Sequence, residues 1–180
     1  MTTVRIWFTK TGEASYISLL DLQRVMQRSI KRSGIPVWYT MGFNPHIYMT
    51  FANPLPLGQE SLVESVDVKT ELEQVPLEDW RQALDRVMPL GIKVTRVTLP
   101  QYKAEKISFA RYQLRMPLSA QASVDAYNQL ETAVIQKKTK RGHKEIDLKQ
   151  ALPRIETEQK ENELQAELLL TAGEGNNLNP

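Results

Sequence analysis

The sequence predicts an α+β protein made of two successive units, and three observations carry that reading. Apolar residues alternate over residues 2–10, where Val4, Ile6 and Phe8 share one face and Arg5, Trp7 and Thr9 the other, the period of a half-buried strand. They then recur at helical spacing as Leu22, Val25, Met26 and Ile30. The same succession of strand-like and helix-like segments starts again at residue 107.

The elements follow in order. Ser18 is placed to cap the first helix, Asp21 stands in its first turn, and Gly34 stops it. "IPVWYTM", residues 35–41, predicts a short strand, with Pro36 at its start or at a sheet edge. Residues 61–72 alternate again through Val66, Val68 and Thr70. "PLEDWRQALDRVM" predicts a helix with Pro76 early, acids in its first turn, and a stripe of Trp80, Leu84 and Val87 or Met88. After Gly91, "IKVTRVTL" predicts a strand. The order β-α-β-β-α-β over residues 1–99 is the ferredoxin-like pattern. Residues 100–106 read as a linker.

Residues 107–180 then predict strand 107–116, helix 119–136, a basic turn, and strands over 145–159 and 163–173. That unit is one helix and one strand short of a second ferredoxin-like repeat. Asn179 and Pro180 resemble an N-cap and first helical residue, so the natural protein is expected to continue beyond Pro180.

Composition excludes several chemistries. The 180 residues include no cysteine, which rules out disulfides, thiolate zinc sites, a cysteine nucleophile and a protein-ligated iron–sulfur cluster. The two histidines, His46 and His143, are too few for a His-rich metal site, and no Gly-rich phosphate loop or calcium-spaced acid cluster is present. No metal or cofactor is expected. With no apolar run of signal-peptide or membrane-spanning length, a cytoplasmic protein with no membrane partner is expected.

Net charge is only +2, but it is unevenly placed. Residues 1–58 hold Arg5, Lys10, Arg24, Arg28, Lys31 and Arg32 against Glu13 and Asp21. Arg24, Arg28 and Lys31 follow one another at i, i+4, i+7 on the first helix, with Arg32 beside them. Like charges at that spacing repel by a few tenths of a kcal/mol per pair. An anionic partner would offset this, and a solvated cationic face favoured by the helix dipole is the alternative. A second basic cluster comprises Lys137, Lys138, Lys140, Arg141 and Lys144.

The loop 42–61 is unusually apolar for a connection. Pro45, Pro54 and Pro56 stiffen it, while Gly42 and Gly58 permit positive φ near its ends. Phe43, Phe51, Leu55 and Leu57 are expected to pack into the core, giving an ordered loop across the sheet or between the two halves. Asn44, His46, Tyr48 and Tyr39 would then line a pocket near Lys10 and the basic helix. His46 is a candidate general base or phosphate donor, with a structural hydrogen-bonding role as its alternative.

The segment "KTGEASYISLLDLQRVMQRSIKRSGIPVWYTMGFNPHIYMTFANPLPLGQES" resembles the radical SAM-linked protein family, a bacterial domain found alone or joined to a radical S-adenosylmethionine enzyme. The matching residues are Lys10 and Gly12; Ser18, Leu20 and Asp21; Arg28, Lys31 and Arg32; Gly42 to His46; Pro54 to Ser61; and Glu64. Leu19 stands where the family pattern has histidine, and Ile47 and Tyr48 replace a proline and a basic residue. Without cysteine the chain cannot hold the cluster of such an enzyme, so the resemblance implies an accessory or substrate-handling role. Three functions are open. The leading one is an RNA-binding or substrate-presenting module, with Trp7, Trp38 and Tyr112 as stacking candidates. The second is an RNA- or nucleotide-directed enzyme using His46, Lys10, Asp21 and Glu64. The third is a protein adaptor docking a radical SAM partner. The oligomeric state is open.

Overall fold

The computed structural model describes residues 1–139, 142–173 and 178, with only the backbone described at 137–139 and 144. The side chains of the second basic cluster, and the expected helix entry at Asn179 and Pro180, lie outside the described residues. The protein is α+β and divides into two compact units, Met1–Lys106 and Ile107–Pro180.

The first unit contains β1 (Thr2–Lys10), α1 (Leu19–Ser33), β2 (Met49–Phe51), β3 (Ser61–Thr70), α2 (Leu77–Asp85) and β4 (Ile92–Thr98). Its strands pair antiparallel in the order β2-β3-β1-β4. Strand parity builds the core: Val4, Ile6 and Phe8 of β1 stand opposite Val68, Val66 and Glu64 of β3, and all but Glu64 join an apolar cluster with Leu22, Met26 and Ile30 of α1 and Trp80 and Leu84 of α2. Each such aliphatic side chain contributes about 2 kcal/mol by burial. The caps of α1 are those its sequence announces. Ser18 Oγ accepts from the Asp21 N–H at 3.1 Å, and Gly34 ends the helix at a left-handed φ of 73°.

The expected strand at 35–41 does not form. Ile35 is buried in the core, the Trp38 N–H donates to Lys69 O at 2.7 Å, and Tyr39 makes an isolated antiparallel bridge to Ile47. The second strand lies instead inside the expected loop, where Met49 and Phe51 stand opposite Val68 and Val66. Phe51 meets Phe8 edge-on at 6.5 Å. Three alternating residues between proline-rich flanks suffice here because β3 supplies a ready-made edge.

The second unit contains β5 (Phe109–Pro117), α3 (Gln121–Gln129), β6 (Val134–Thr139), β7 (Gly142–Asp147), α4 (Leu148–Ala151), β8 (Thr157–Lys160) and β9 (Glu163–Thr171). The sheet order is β5-β9-β8, and β6 pairs with β7 as a separate hairpin. The expected helix 119–136 therefore stops early, because the β-branched pair Val134 and Ile135 joins this hairpin. The expected strand 145–159 breaks into β7, α4 and β8, with the Asp147 carboxylate accepting from the Lys149 N–H at 3.0 Å to start the short helix. Among the described residues no helix is long and apolar enough to cross a membrane.

Candidate functional site

The far half of α1 gathers three cations with no acid beside them in sequence. Arg28, Lys31 and Arg32, with Val25 and Pro89 as apolar walls, line an open cleft of about 430 Å³. No acid lines it. The chain in fact contains no Asp or Glu anywhere from Leu22 to Gln59. Arg24, expected in the same basic arc, is absent from the lining and instead pairs with Asp21 at 3.0 Å. Arg32 donates to Val87 O at 3.0 Å, which fixes its guanidinium without neutralising it. Lys31 Nζ stands 5.8 Å from the centre of the Tyr39 ring. Arg28 has no hydrogen-bond or ion-pair partner among the described residues. The helix dipole accounts for cations in the last turn, at Lys31 and Arg32, but its effect fades by Arg28 one turn earlier.

Tyr39 connects the cleft to the loop motif. From the Tyr39–Ile47 bridge the chain forms a tight hairpin in which the Thr40 N–H donates to His46 O at 2.8 Å and the His46 N–H donates to Thr40 Oγ1 at 3.1 Å. The His46 ring closes it, with Nδ1 3.0 Å from Thr40 Oγ1 and 3.1 Å from Asn44 O. A carbonyl oxygen only accepts, so in the contact with Asn44 O it is Nδ1 that donates, and Nε2 has no partner among the described residues. His46 thus organises the loop while keeping one ring nitrogen uncommitted.

Two loop expectations are corrected. Phe43 is fully exposed, at 106% of its reference surface, and Leu57 is exposed as well, whereas Phe51 and Leu55 are half-buried. The loop is anchored by Ile47, which is fully buried, and by Met49 and Phe51 against the core. The chain then needs no further apolar anchor at the tip, where Gly42, at a φ of 128°, and Pro45 leave Phe43 in solvent.

Nor do the other expected residues gather round His46. Lys10 stands opposite Ser61, and Met49 is in register with Val68 and Val4. Six residues of β1 separate those positions, about 20 Å, and His46 lies beyond Met49 in the direction away from Lys10. Asp21 is ten residues, about 15 Å of helix, from Lys31. The pocket expected to combine Tyr39, Asn44, His46 and Tyr48 with Lys10 is therefore absent, and so is any convergence of His46 with Lys10, Asp21 and Glu64.

Lys10 and Glu64 instead close the opposite end of the core. They are 2% and 8% exposed and make no direct ion pair, and Lys10 Nζ donates to Ser15 O at 3.2 Å. Burial pushes the lysine pKa down, opposed by the charge of Glu64. Burial likewise pushes the glutamate up, offset by the Ser61 hydroxyl and by Lys10. The stretch after Pro54 and Pro56 straps this end, with the Gly58 N–H donating to Ser15 O at 2.9 Å and Glu60 Oε1 accepting from the Gly12 N–H at 2.6 Å.

In the first unit the aromatic candidates Trp7 and Trp38 are already engaged. Trp7 is half-buried, donates from Nε1 to Thr98 Oγ1 at 3.0 Å, and has the Arg96 guanidinium 4.1 Å over its ring. Trp38 meets Tyr48 edge-on at 6.2 Å, and Lys69 Nζ lies 4.4 Å from the Tyr48 ring centre. Tyr112 is half-buried on β5. Sequence reasoning missed the cleft walls Val25 and Pro89 and the exposed tip Met41 and Phe43. The basic arc of Arg28, Lys31 and Arg32 is what the sequence shows of this region.

Fold and site together define an α+β protein with a cationic cleft, lined by no acid, beside a hydrogen-bonded loop. The chain belongs to a family of uncharacterized proteins conserved in bacteria, DUF2344, whose model matches residues 3–180. No curated protein matches this chain.

Proposed function

We propose that the protein is a non-catalytic RNA-binding module that holds phosphate groups at the Arg28–Lys31–Arg32 cleft. The single observation that carries this is the convergence of three cations on one open cleft with no acid in its lining. Guanidinium groups suit phosphate because their planar N–H forks match its oxygens. An acidic protein surface would satisfy the same charges. The aromatic flank at Tyr39 favours a polymer that offers rings as well as phosphates. The strand order β2-β3-β1-β4 supports reading the first unit as ferredoxin-like, and β5-β9-β8 supports reading the second as the same fold lacking a helix and a strand. An enzymatic reading is weaker, since no titratable side chain is bonded to His46 among the described residues.

The test is binding of an RNA hairpin measured across 50 to 200 mM salt, for the wild type and for Arg28→Gln with Lys31→Gln. The wild type should weaken steeply with salt, and the double variant should lower the slope of log K against log salt by about two. Equal slopes, or no binding by either protein, overturn the proposal. The helix face would then be a docking surface for an acidic protein. The radical SAM enzyme implied by the sequence resemblance would be the partner to seek, by co-purification that survives nuclease.

A further inference from the structure

We infer that the tip of the 39–47 loop is a stacking wedge for an unpaired nucleobase, with Phe43 taking the base while the cleft holds the adjoining phosphates. The inference rests on the RNA-binding reading above and narrows it to RNA with unpaired residues. Phe43 and Met41 are almost entirely in solvent, at 106% and 90% exposure, and nothing in the first unit packs over them. A phenylalanine held in water gains nothing for the fold, since apolar area stabilises only when it leaves solvent.

Its presentation is nonetheless rigid. The Tyr39–Ile47 bridge, the paired Thr40–His46 hydrogen bonds and the contact of His46 Nδ1 with Asn44 O close the hairpin on both sides of the tip. Pro45 removes further backbone freedom. An aromatic ring fixed in advance loses little entropy when a base stacks on it, which is where much of the cost of such binding lies. The tip also shares its base with the cleft, because Tyr39 both closes the hairpin and lies under Lys31. The cleft lining carries no acid, and the segment 33–42 that joins it to the tip contributes none. Asn44 and His46, on either side of Pro45, add an amide and an uncommitted imidazole nitrogen for a base edge. Those two polar groups also disfavour the rival occupant of a basic, aromatic-tipped surface, the hydrocarbon of an anionic membrane, where each would be desolvated without a partner.

Two RNA hairpins with the same stem test this, one carrying 2-aminopurine in an unpaired loop and the other a continuous duplex of equal length closed by a linker. Phe43→Ala should weaken binding of the looped RNA about tenfold, abolish quenching of 2-aminopurine, and leave duplex binding unchanged; Phe43→Trp should retain both signals. Because Phe43 makes no internal contact, unchanged circular dichroism melting is expected for either variant. Equal binding of both RNAs by wild type and Phe43→Ala, with the Arg28 and Lys31 variant still impaired, overturns the wedge and leaves the cleft reading standing. No RNA binding by the wild type overturns both. Sedimentation of the wild type with phosphatidylserine vesicles, lost in Phe43→Ala, assigns the tip to a membrane surface and likewise overturns the wedge.

Discussion

The two ends of helix α1 handle charge in opposite ways. At its start, ionic and polar groups are matched within the chain: Asp21 with Ser18 and Arg24, Gly12 with Glu60, and buried Lys10 with Ser15 and the field of Glu64. At its end, Arg28, Lys31 and Arg32 face an open cleft with no acid, and Phe43 stands in water. Matched charges under a strap are what a fold needs to close its core, whereas unmatched charges and a bare ring are what a surface needs to recognise something else. Lys10, Gly12, Asp21 and Glu64 thus serve the architecture, and Arg28, Lys31, Phe43 and His46 are the residues on which the proposed recognition role draws.

The largest effect should come at the matched end. Lys10→Met leaves Glu64 buried without its compensating cation and is expected to cost about 3 kcal/mol in denaturant unfolding, while Lys10→Met with Glu64→Leu should recover most of that loss. The pH dependence has a definite sign. The contribution of Glu64, whose pKa is raised, is full below the ordinary carboxylate range and lost as pH rises through its native value. The contribution of Lys10, whose pKa is lowered, is full above the ordinary lysine range and lost as pH falls through its native value. Burial thus works against the charged form of both groups, and the double variant should show a flatter stability profile with pH. A Lys10→Met protein as stable as wild type would erase the distinction between the ends.

Gly91→Ala should come next, at about 2 kcal/mol. Its φ is 82°, and an added Cβ would lie 2.5 Å from Thr11 O and 2.8 Å from the Ala14 Cβ, pushing on the turn that covers Lys10. Thermal melting reads this directly, and an unchanged midpoint would show that the turn is free to move. The smallest effect is expected at the other end, where Arg28→Gln with Lys31→Gln removes repulsion and should change stability by no more than about 0.5 kcal/mol. A loss of several kcal/mol there would make those cations structural and sink the recognition role.

Much of this was legible in the sequence where a period or a cap encodes it. Alternation located β1, β3 and β4, and Ser18 and Gly34 marked the ends of α1. Parity also places the buried charges: Lys10 follows Val4, Ile6 and Phe8 on the core face, and Glu64 precedes Val66 and Val68 on theirs. The position of β2 was not legible, because three residues are too few to show a period and the neighbouring 35–41 segment alternates as convincingly. Phe43 and Ile47 look alike as apolar loop residues. Which of them is buried depends on the Tyr39–Ile47 bridge, a pairing no local pattern states.

The depth of Lys10 has a practical corollary in chemical labelling. An amine 2% exposed meets an acylating reagent only when the strap and the turn over it come away, while the exposed amine of Lys31 reacts from the native state. The ratio of modification at these two lysines is thus an internal clock: the fast site reports reagent, and the slow one counts each opening of the first unit.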